Sequence, residues 1–331
     1  MANVQPQFEQ FHQRIRTDYD SNQTLREKKD IIVQRVKDHL MRSKRPACEE
    51  FIQGSYKMKV GICALKGAEF DIDVGLRFSF AETEYTSTEV RKWVFEAVDG
   101  HTQEVEEKGA CIRVRYQDGY HVDLVSYARW DDTLGREQYR LAHKTNGWRP
   151  ADPPALVQYV KDVRGRFEGT EDGATGTDQF RRVVRCLKRW NDVALLCESV
   201  DKPSGLALLL LADRHLVGPV QSWDGASDDR LAVERIASNA ANTVGRITVL
   251  KPAPEGEDVF ASVTEQGMAE LKSRFESLAD TLAEAGKHPD PREACRLIQK
   301  LLGDDFPVPD IDDTGRKTSG PAIIPSSSSA A

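Results

Sequence analysis

Apolar positions recur along this chain with two periods, and the switch between them marks its organisation. From Leu25 to Met41 the residues Leu25, Ile32, Val36 and Leu40 keep the spacing of one helix face. Thr24 with Glu27 three residues on has the form of a capping box, which sets the start of that helix at Leu25. A short helix over Phe8 to Arg16 precedes it. Between Asp71 and Leu76 the period drops to two: Ile72, Val74 and Leu76 alternate with Asp71, Asp73 and Gly75. Side chains of a strand alternate between faces, so the apolar set enters a core while Asp71 and Asp73 point together the other way.

The helical period returns over Ser87 to Val98, with Val90, Val94 and Val98 four apart. Arg113–Tyr116 and Tyr120–Val125 then flank Asp118-Gly119, a turn pair that predicts a β-hairpin. In its second strand Val122 and Leu124 face the core and Asp123 faces away. Tyr127 to Pro154 has little periodicity and reads as irregular chain. Beyond it the pattern is mostly helical: Ala155 to Val163, a helix capped by Asp178 and running to Trp190, an all-round apolar helix from Pro203 to Leu211, then Asp228–Ala237, Val263–Ala285 and Pro291–Leu302, stopped at Gly303. Gly165 to Thr177 is rich in glycine and acid and reads as a mobile loop. Asn242 to Lys251 reads as a short strand.

Composition narrows the class. A chain of 331 residues with 39% hydrophobic content supports two lobes with real cores, and a net charge of −7 does not suit a general nucleic-acid coat. Lys28, Lys29, Arg35, Lys37 and Arg42 on or just past the early helix read as a solvated face. The longest apolar run, Leu206 to Ala212, is too short for a bilayer, and Met1–Gln5 has no leader pattern. A soluble cytoplasmic protein is expected. The cysteines at 48, 63, 111, 186, 197 and 295 are scattered, which suits reduced core thiols and gives no zinc module. After Asp310 the sequence turns small and polar, so residues 311–331 are expected to be a disordered tail.

The chemistry concentrates in the alternating stretch. Two carboxylates side by side repel unless a cation lies between them, and magnesium prefers oxygen ligands while keeping positions for phosphates. Upstream, Gly54 lets backbone approach a phosphate and Ser55 offers a hydroxyl to hold it. Asp123 supplies a third carboxylate. Two-metal phosphoryl transfer gathers several carboxylates around ions about 3.5–4 Å apart, and one of them can take the proton of an attacking hydroxyl.

The phrases Gly54-Ser55-Tyr56, Asp71-Ile72-Asp73-Val74-Gly75-Leu76 and His121-Val122-Asp123-Leu124-Val125 resemble the DNA polymerase β-type nucleotidyltransferase superfamily. Within it they are most similar to the bacterial relatives of cyclic GMP–AMP synthase, the CD-NTases of CBASS anti-phage systems, with the resemblance running from the helix before Gly54 to Pro309. It implies an α+β fold: an α/β palm of residues 1–154 that includes a long N-terminal spine helix, and a mainly helical second lobe of residues 155–310 closing over the nucleotide. It also implies roles. Asp71, Asp73 and Asp123 would hold two Mg2+ ions, with Mn2+ able to substitute, and would form the catalytic set. Gly54 and Ser55 would bind the donor triphosphate, with Lys188 from the Leu187-Lys188-Arg189-Trp190 phrase and Ser204 at a helix start; Arg185 is a weaker candidate. Many relatives carry Gly-Thr shortly after the Gly-Ser-Tyr. This chain has Lys59-Val60 before Gly61, so no threonine contact is carried over.

The implied activity is condensation of two or three NTPs into a cyclic oligonucleotide messenger for anti-phage defence. A linear oligonucleotide synthase, a protein nucleotidylyltransferase and a silent nucleotide- or RNA-binding module are the alternatives, the last opposed by the three carboxylates. Implied partners are the NTP substrates and, indirectly, an effector activated by the cyclic product. An ancillary conjugating protein would act at Ala331. No membrane is expected and nucleic acid is not required.

Overall fold

The computed structural model describes residues 3–17, 23–65, 70–117, 119–194 and 202–310, without the side chains of Phe70 and Asp71. The expectations for residues 311–331, including Ala331, lie outside this range.

The N-terminal helix α1 (Gln5–Ile15) buries Phe8, Phe11 and Ile15. Helix α2 (Gln23–Arg42) buries Leu25, Ile32, Val33, Val36 and Leu40, the predicted stripe with Val33 added. It starts two residues earlier than the capping-box reading, so Thr24 lies within the first turn. The strands that follow are β1 (Cys48–Ile52) and, after the single-turn helix α3 (Gly54–Lys57), β2 (Phe70–Ser79). Helix α4 (Ser87–Val98) opens with a capping box that the sequence reading missed: Glu89 N donates to Thr86 Oγ1 at 3.2 Å, and Thr86 N donates to Glu89 Oε2 at 2.8 Å. Strands β3 (Glu104–Glu107), β4 (Ile112–Arg115), β5 (Tyr120–Asp131), β6 (Glu137–His143) and β7 (Gly147–Ala151) complete one sheet.

Tyr127 to Pro154 is therefore a meander and not irregular chain. Its edge strands β6 and β7 carry weak alternation, and Pro150 is tolerated because, among the described residues, β7 pairs with β6 alone. The predicted hairpin is β4–β5, with Gly119 at φ 81° in its turn.

The sheet order is β1-β2-β5-β4-β3, with β6 on the far half of β5 and β7 on β6. Strand β5 is its axis. It pairs with β2 in parallel along ten residues, with β4 through Arg115↔His121 to Ile112↔Leu124, and with β6 from Tyr127 onward. One sheet face packs under α2 and α4: Ile72, Val74, Leu76, Val122 and Leu124 are buried there with Val36, Val90 and Val94. On the other face Gly75 leaves room for the Phe51 ring, which joins Tyr127, Val125 and Tyr139 in a small apolar cluster.

The second half is helical: α5 (Pro153–Gly165), α6 (Gln179–Ala194), α7 (Gly205–His215), α8 (Asp229–Ala241), then a hairpin of β8 (Leu250–Pro252) and β9 (Glu255–Asp258), α9 (Glu265–Lys287) and α10 (Pro291–Leu302). Of the strand expected over Asn242 to Lys251, only Leu250 and Lys251 are extended in β8. Ile247 and Val249 are instead buried in the helical core. That core also takes Phe8, Phe11 and Ile15 of α1, and Trp190 stacks on Phe275 at 4.8 Å.

The stretch 165–177, expected to be loose, is pinned. Asp172 accepts from the backbone N–H groups of Ala174, Thr175 and Thr177, while Thr170 and Thr177 carbonyls accept from buried Arg182. Arg182 in turn grips Asp229 at 2.6 and 3.0 Å. Glycine-rich composition marked the turns there; the anchor, Arg182, lies outside the stretch and was invisible from it.

Candidate active site

A cleft of about 1070 Å3 runs between the sheet and the helical half, and Gly54, Ser55, Asp73, Lys188 and Ser204 all line it. Its floor is the apolar alternation of β2 and β5 turned over. Because Ile72 and Val74 are held in the core, Asp73 projects to the cleft side, and in-register pairing sets Asp123 directly beside it. Asp71 occupies the register position opposite His121, two residues before Asp73; its side chain lies outside the described atoms. Among the described residues no three metal-binding side chains converge, so the described part of the expected set is the pair Asp73 and Asp123.

That pair still suits a hard cation. Two neighbouring carboxylates present only oxygen, the donor type magnesium and manganese accept. Backbone closes over Asp73: Gly54 sits at φ 62°, and a β-carbon on it would come within 2.0 Å of Asp73 Oδ2. Only glycine lets the chain turn there against the carboxylate. Gln53 holds the approach, its N–H on the Asp73 carbonyl at 3.2 Å and its side-chain oxygen accepting from Tyr127 Oη at 2.9 Å. Burial drives the Tyr127 phenol pKa up, and Asp73 reinforces this, so the hydroxyl stays a donor. The Cys111 thiol is likewise pushed up by burial and then by Asp123, which keeps it protonated.

Asp123 is 5% exposed, and Arg113 spans it: Nε donates to Oδ1 and Nη2 to Oδ2, each at 2.7 Å. Arg113 also lines the cleft. Sequence reasoning passed over it, although it stands in the Arg113-Val114-Arg115 alternation opposite Asp123; the register across the Asp118-Gly119 turn was the available signal.

Helix α6 supplies the opposite wall. Asp178 caps it as expected, accepting from Arg181 N at 2.9 Å. Lys188 Nζ donates to the Val60 carbonyl at 3.1 Å, at the cleft surface. Arg185, the weaker phosphate candidate, is buried and directed elsewhere: it donates to the Gly61 and Lys59 carbonyls and lies against His12. Arg189 Nη2 donates to the Cys63 carbonyl at 2.9 Å. The three cations thus staple loop 59–63. Ser204 is the N-cap of α7, its Oγ accepting from Ala207 N at 3.1 Å, and it lines the cleft beside Lys188.

Three further cleft residues form a group that was not singled out from the sequence. Arg149 on β7 and Lys251 on β8 both grip Glu257 on β9, at 2.8 and 2.9 Å, tying the sheet to the helical half across the cleft. No local motif announces them, because their meeting depends on how the two halves pack.

Comparison with known proteins agrees with this geometry. The family described as cyclic GMP-AMP synthase DncV-like, nucleotidyltransferase domain, matches residues 48–127. Vibrio cholerae DncV cyclic AMP-GMP synthase, a prokaryotic cGAS homolog, is similar in structure with a TM-score of 0.72 at 17% identity, over 91% of this chain and 97% of that one. Its complex with the linear intermediate 5′ pppA(3′,5′)pG superposes with a TM-score of 0.72 at 15% identity, over 91% and 96%. Its apo form gives 0.71 at 16%, again over 91% and 96%. At such identities the structures speak for the fold, and the match at 48–127 covers β1 to the middle of β5, where the paired aspartates and Gly54 stand. The chain thus matches a DncV-like nucleotidyltransferase domain over residues 48–127 and shares the DncV fold over most of its length.

Proposed function

We propose that the protein condenses NTPs into a cyclic di- or trinucleotide, the messenger step of an anti-phage response. The observation that carries this reading is Asp73, covered by Gly54 on the floor of a cleft large enough for more than one nucleotide, with Asp123 in register beside it. The solved relative is a cyclic AMP-GMP synthase. No helix among the described residues is long and apolar enough to cross a membrane, and a supply of NTPs suits a cytoplasmic setting.

In this reading Asp71, Asp73 and Asp123 hold two Mg2+ ions, for which Mn2+ can substitute. The ions, when bound, neutralise charge building on the transferred phosphoryl group. The protein's part is placement. Gly54 and Ser55 cradle the donor triphosphate; Lys188 leaves the Val60 carbonyl to meet it as a point charge, and Ser204 turns its hydroxyl hydrogen toward it. The acceptor hydroxyl oxygen forms a bond to the donor α-phosphorus, the α–β anhydride breaks, and pyrophosphate departs. The acceptor's proton leaves past Asp123. A second transfer within the linear product closes the ring, and an effector that recognises the ring lies downstream. The separate apolar cores of the sheet and the helical half support a palm of residues 1–154 and a second lobe of 155–310, with α1 crossing to pack in the second core.

Incubation with mixed NTPs and MgCl2, followed by mass spectrometry and nuclease digestion, tests the reading. A mass lacking terminal phosphates and resistant to phosphatase is expected. A triphosphate-ended product would instead make this a linear synthase, protein adducts a nucleotidylyltransferase, and no turnover a binding module.

A further inference from the structure

Three charged side chains stand in one row across the sheet. Asp73 on β2 is the register partner of Asp123 on β5, and Asp123 is the register partner of Arg113 on β4. Residues opposite each other in a sheet share a face, with β-carbons about 4.5–5.5 Å apart. The row therefore reads negative, negative, positive, and its ends differ. Arg113 closes on Asp123 with both donors at 2.7 Å, in the planar two-point geometry of a guanidinium on a carboxylate.

We propose that Arg113 is a resident counter-ion of the carboxylate row: it orients Asp123 in the metal-free protein and competes with the divalent cation for that residue's oxygens. The proposal rests on the reading of Asp123 as a metal ligand given above. Two adjacent carboxylates of which one is 5% exposed repel strongly in a poorly solvated site. A guanidinium does not lose its proton, so its compensation is permanent. The same pairing weakens the site for a cation. Both Asp123 oxygens already face positive charge, and a divalent ion arriving beside Arg113 meets repulsion at close range. The carboxylates alone are then a poor metal site, and a nucleotide is needed to bring phosphate oxygens that complete the shell. Arg113 thereby couples metal loading to substrate.

The test is a Mn2+ titration of the full, nucleotide-free chain, following free Mn2+ by EPR. Arg113→Met is expected to tighten Mn2+ binding several-fold, and Arg113→Lys, which keeps the charge but loses the two-point grip, to tighten it less. Asp123→Asn should weaken binding, and adding Arg113→Met to it should change nothing further. A folded Arg113→Met protein, judged by circular dichroism, with unchanged or weaker Mn2+ binding overturns the proposal. Should that variant not fold, Arg113→Lys decides on the same reading. Tightening that persists with Asn at 123 also overturns it, because the effect is then general charge. If Asp123→Asn leaves affinity unchanged, Asp123 is no ligand and the proposal falls with the functional reading; if it weakens affinity while Arg113→Met does not strengthen it, the counter-ion role alone falls.

Discussion

Gly54 and Asp73 meet so closely that a β-carbon at 54 would lie 2.0 Å from Asp73 Oδ2. Gly54→Ala therefore forces the turn and the carboxylate apart. The positive φ adds strain of about 1–2 kcal/mol. A shift on the scale of an ångström at reacting groups costs about a hundredfold in rate. We expect turnover to fall by about that factor while the melting temperature drops by only a few degrees. A variant with wild-type turnover would show that Asp73 can move without consequence.

How much of this was legible beforehand follows from the range of each interaction. Ile72, Val74 and Leu76 announced β2 because alternation is local, and it set Asp73 on the opposite face without any structure. Asp123 could be placed because the Asp118-Gly119 turn fixes its strand. Arg113, one step across the same hairpin, needed the register of β4, which the turn type settles only when all its residues are read together. Arg185, the weaker candidate, was read from helical spacing, which puts it on the Lys188 side of α6; which carbonyl it reaches depends on loop 59–63, 124 residues away for the Gly61 contact. The meander β6–β7 escaped because its edge strands are half polar and include Pro150, and Glu257 escaped because Arg149 is 108 residues distant.

The two described aspartates are expected to part company in stability. Asp73→Asn and Asp123→Asn should each abolish product formation. The second strips Arg113 of its two-point partner, which costs about 1–3 kcal/mol. Urea unfolding of both variants checks this, and equal midpoints would mean that Arg113 finds a substitute partner.

Lys188 and Arg189 adjoin on α6 but do different work. Lys188 reaches the cleft from a carbonyl it can leave, so Lys188→Ala should weaken NTP binding by about tenfold or more, the size of one charge-assisted contact. Arg189 is fully buried, holds the Cys63 carbonyl and faces Asp305 at 3.4 Å. Arg189→Ala should lower the unfolding midpoint first. Isothermal titration with a non-hydrolysable NTP, alongside thermal unfolding, separates the two; the reverse ranking in NTP affinity would place the triphosphate on the wrong side of α6.

His12 predicts an acid sensitivity. It is buried, and burial followed by Arg185, with Arg182 and Arg16 adding, brings its pKa down to about 3, Asp172 opposing. Unfolded, it titrates near 6.5. Between those values the unfolded chain binds a proton that the folded one refuses, so stability falls as pH drops from 6.5 toward 3 and is unaffected by His12 above 6.5. Comparing urea unfolding at pH 7.5 and 5, the wild type should lose up to about 2 kcal/mol more than His12→Gln. Identical losses would assign the acid sensitivity to other groups.

The last expectation concerns the tie across the cleft. Glu257 accepts from Arg149 of the sheet and Lys251 of its own hairpin. Burial tends to raise its pKa, but the Lys251 hydrogen bond and both cations outweigh this and hold the carboxylate below its usual range. It is thus charged throughout the neutral range, and its contribution would fade only as pH falls below about 4.5, through the folded value. At 40% side-chain exposure on Glu257, the pair adds little to global stability. Its effect should be local, because β8–β9 contains only seven strand residues and Arg149 is an anchor outside the helical half. Glu257→Gln keeps the shape and removes the charge. In hydrogen–deuterium exchange the amides of 250–258 should exchange faster in that variant, with α8 and α9 unchanged and the melting temperature within about a degree or two of wild type, as a contribution under 1 kcal/mol implies. The KM for NTP should rise more than kcat falls, since a loosened hairpin disturbs the cleft wall and leaves Asp73 and Asp123 in place. Unchanged exchange over 250–258 would show that the hairpin is held by its own backbone and that Arg149 merely rests against it.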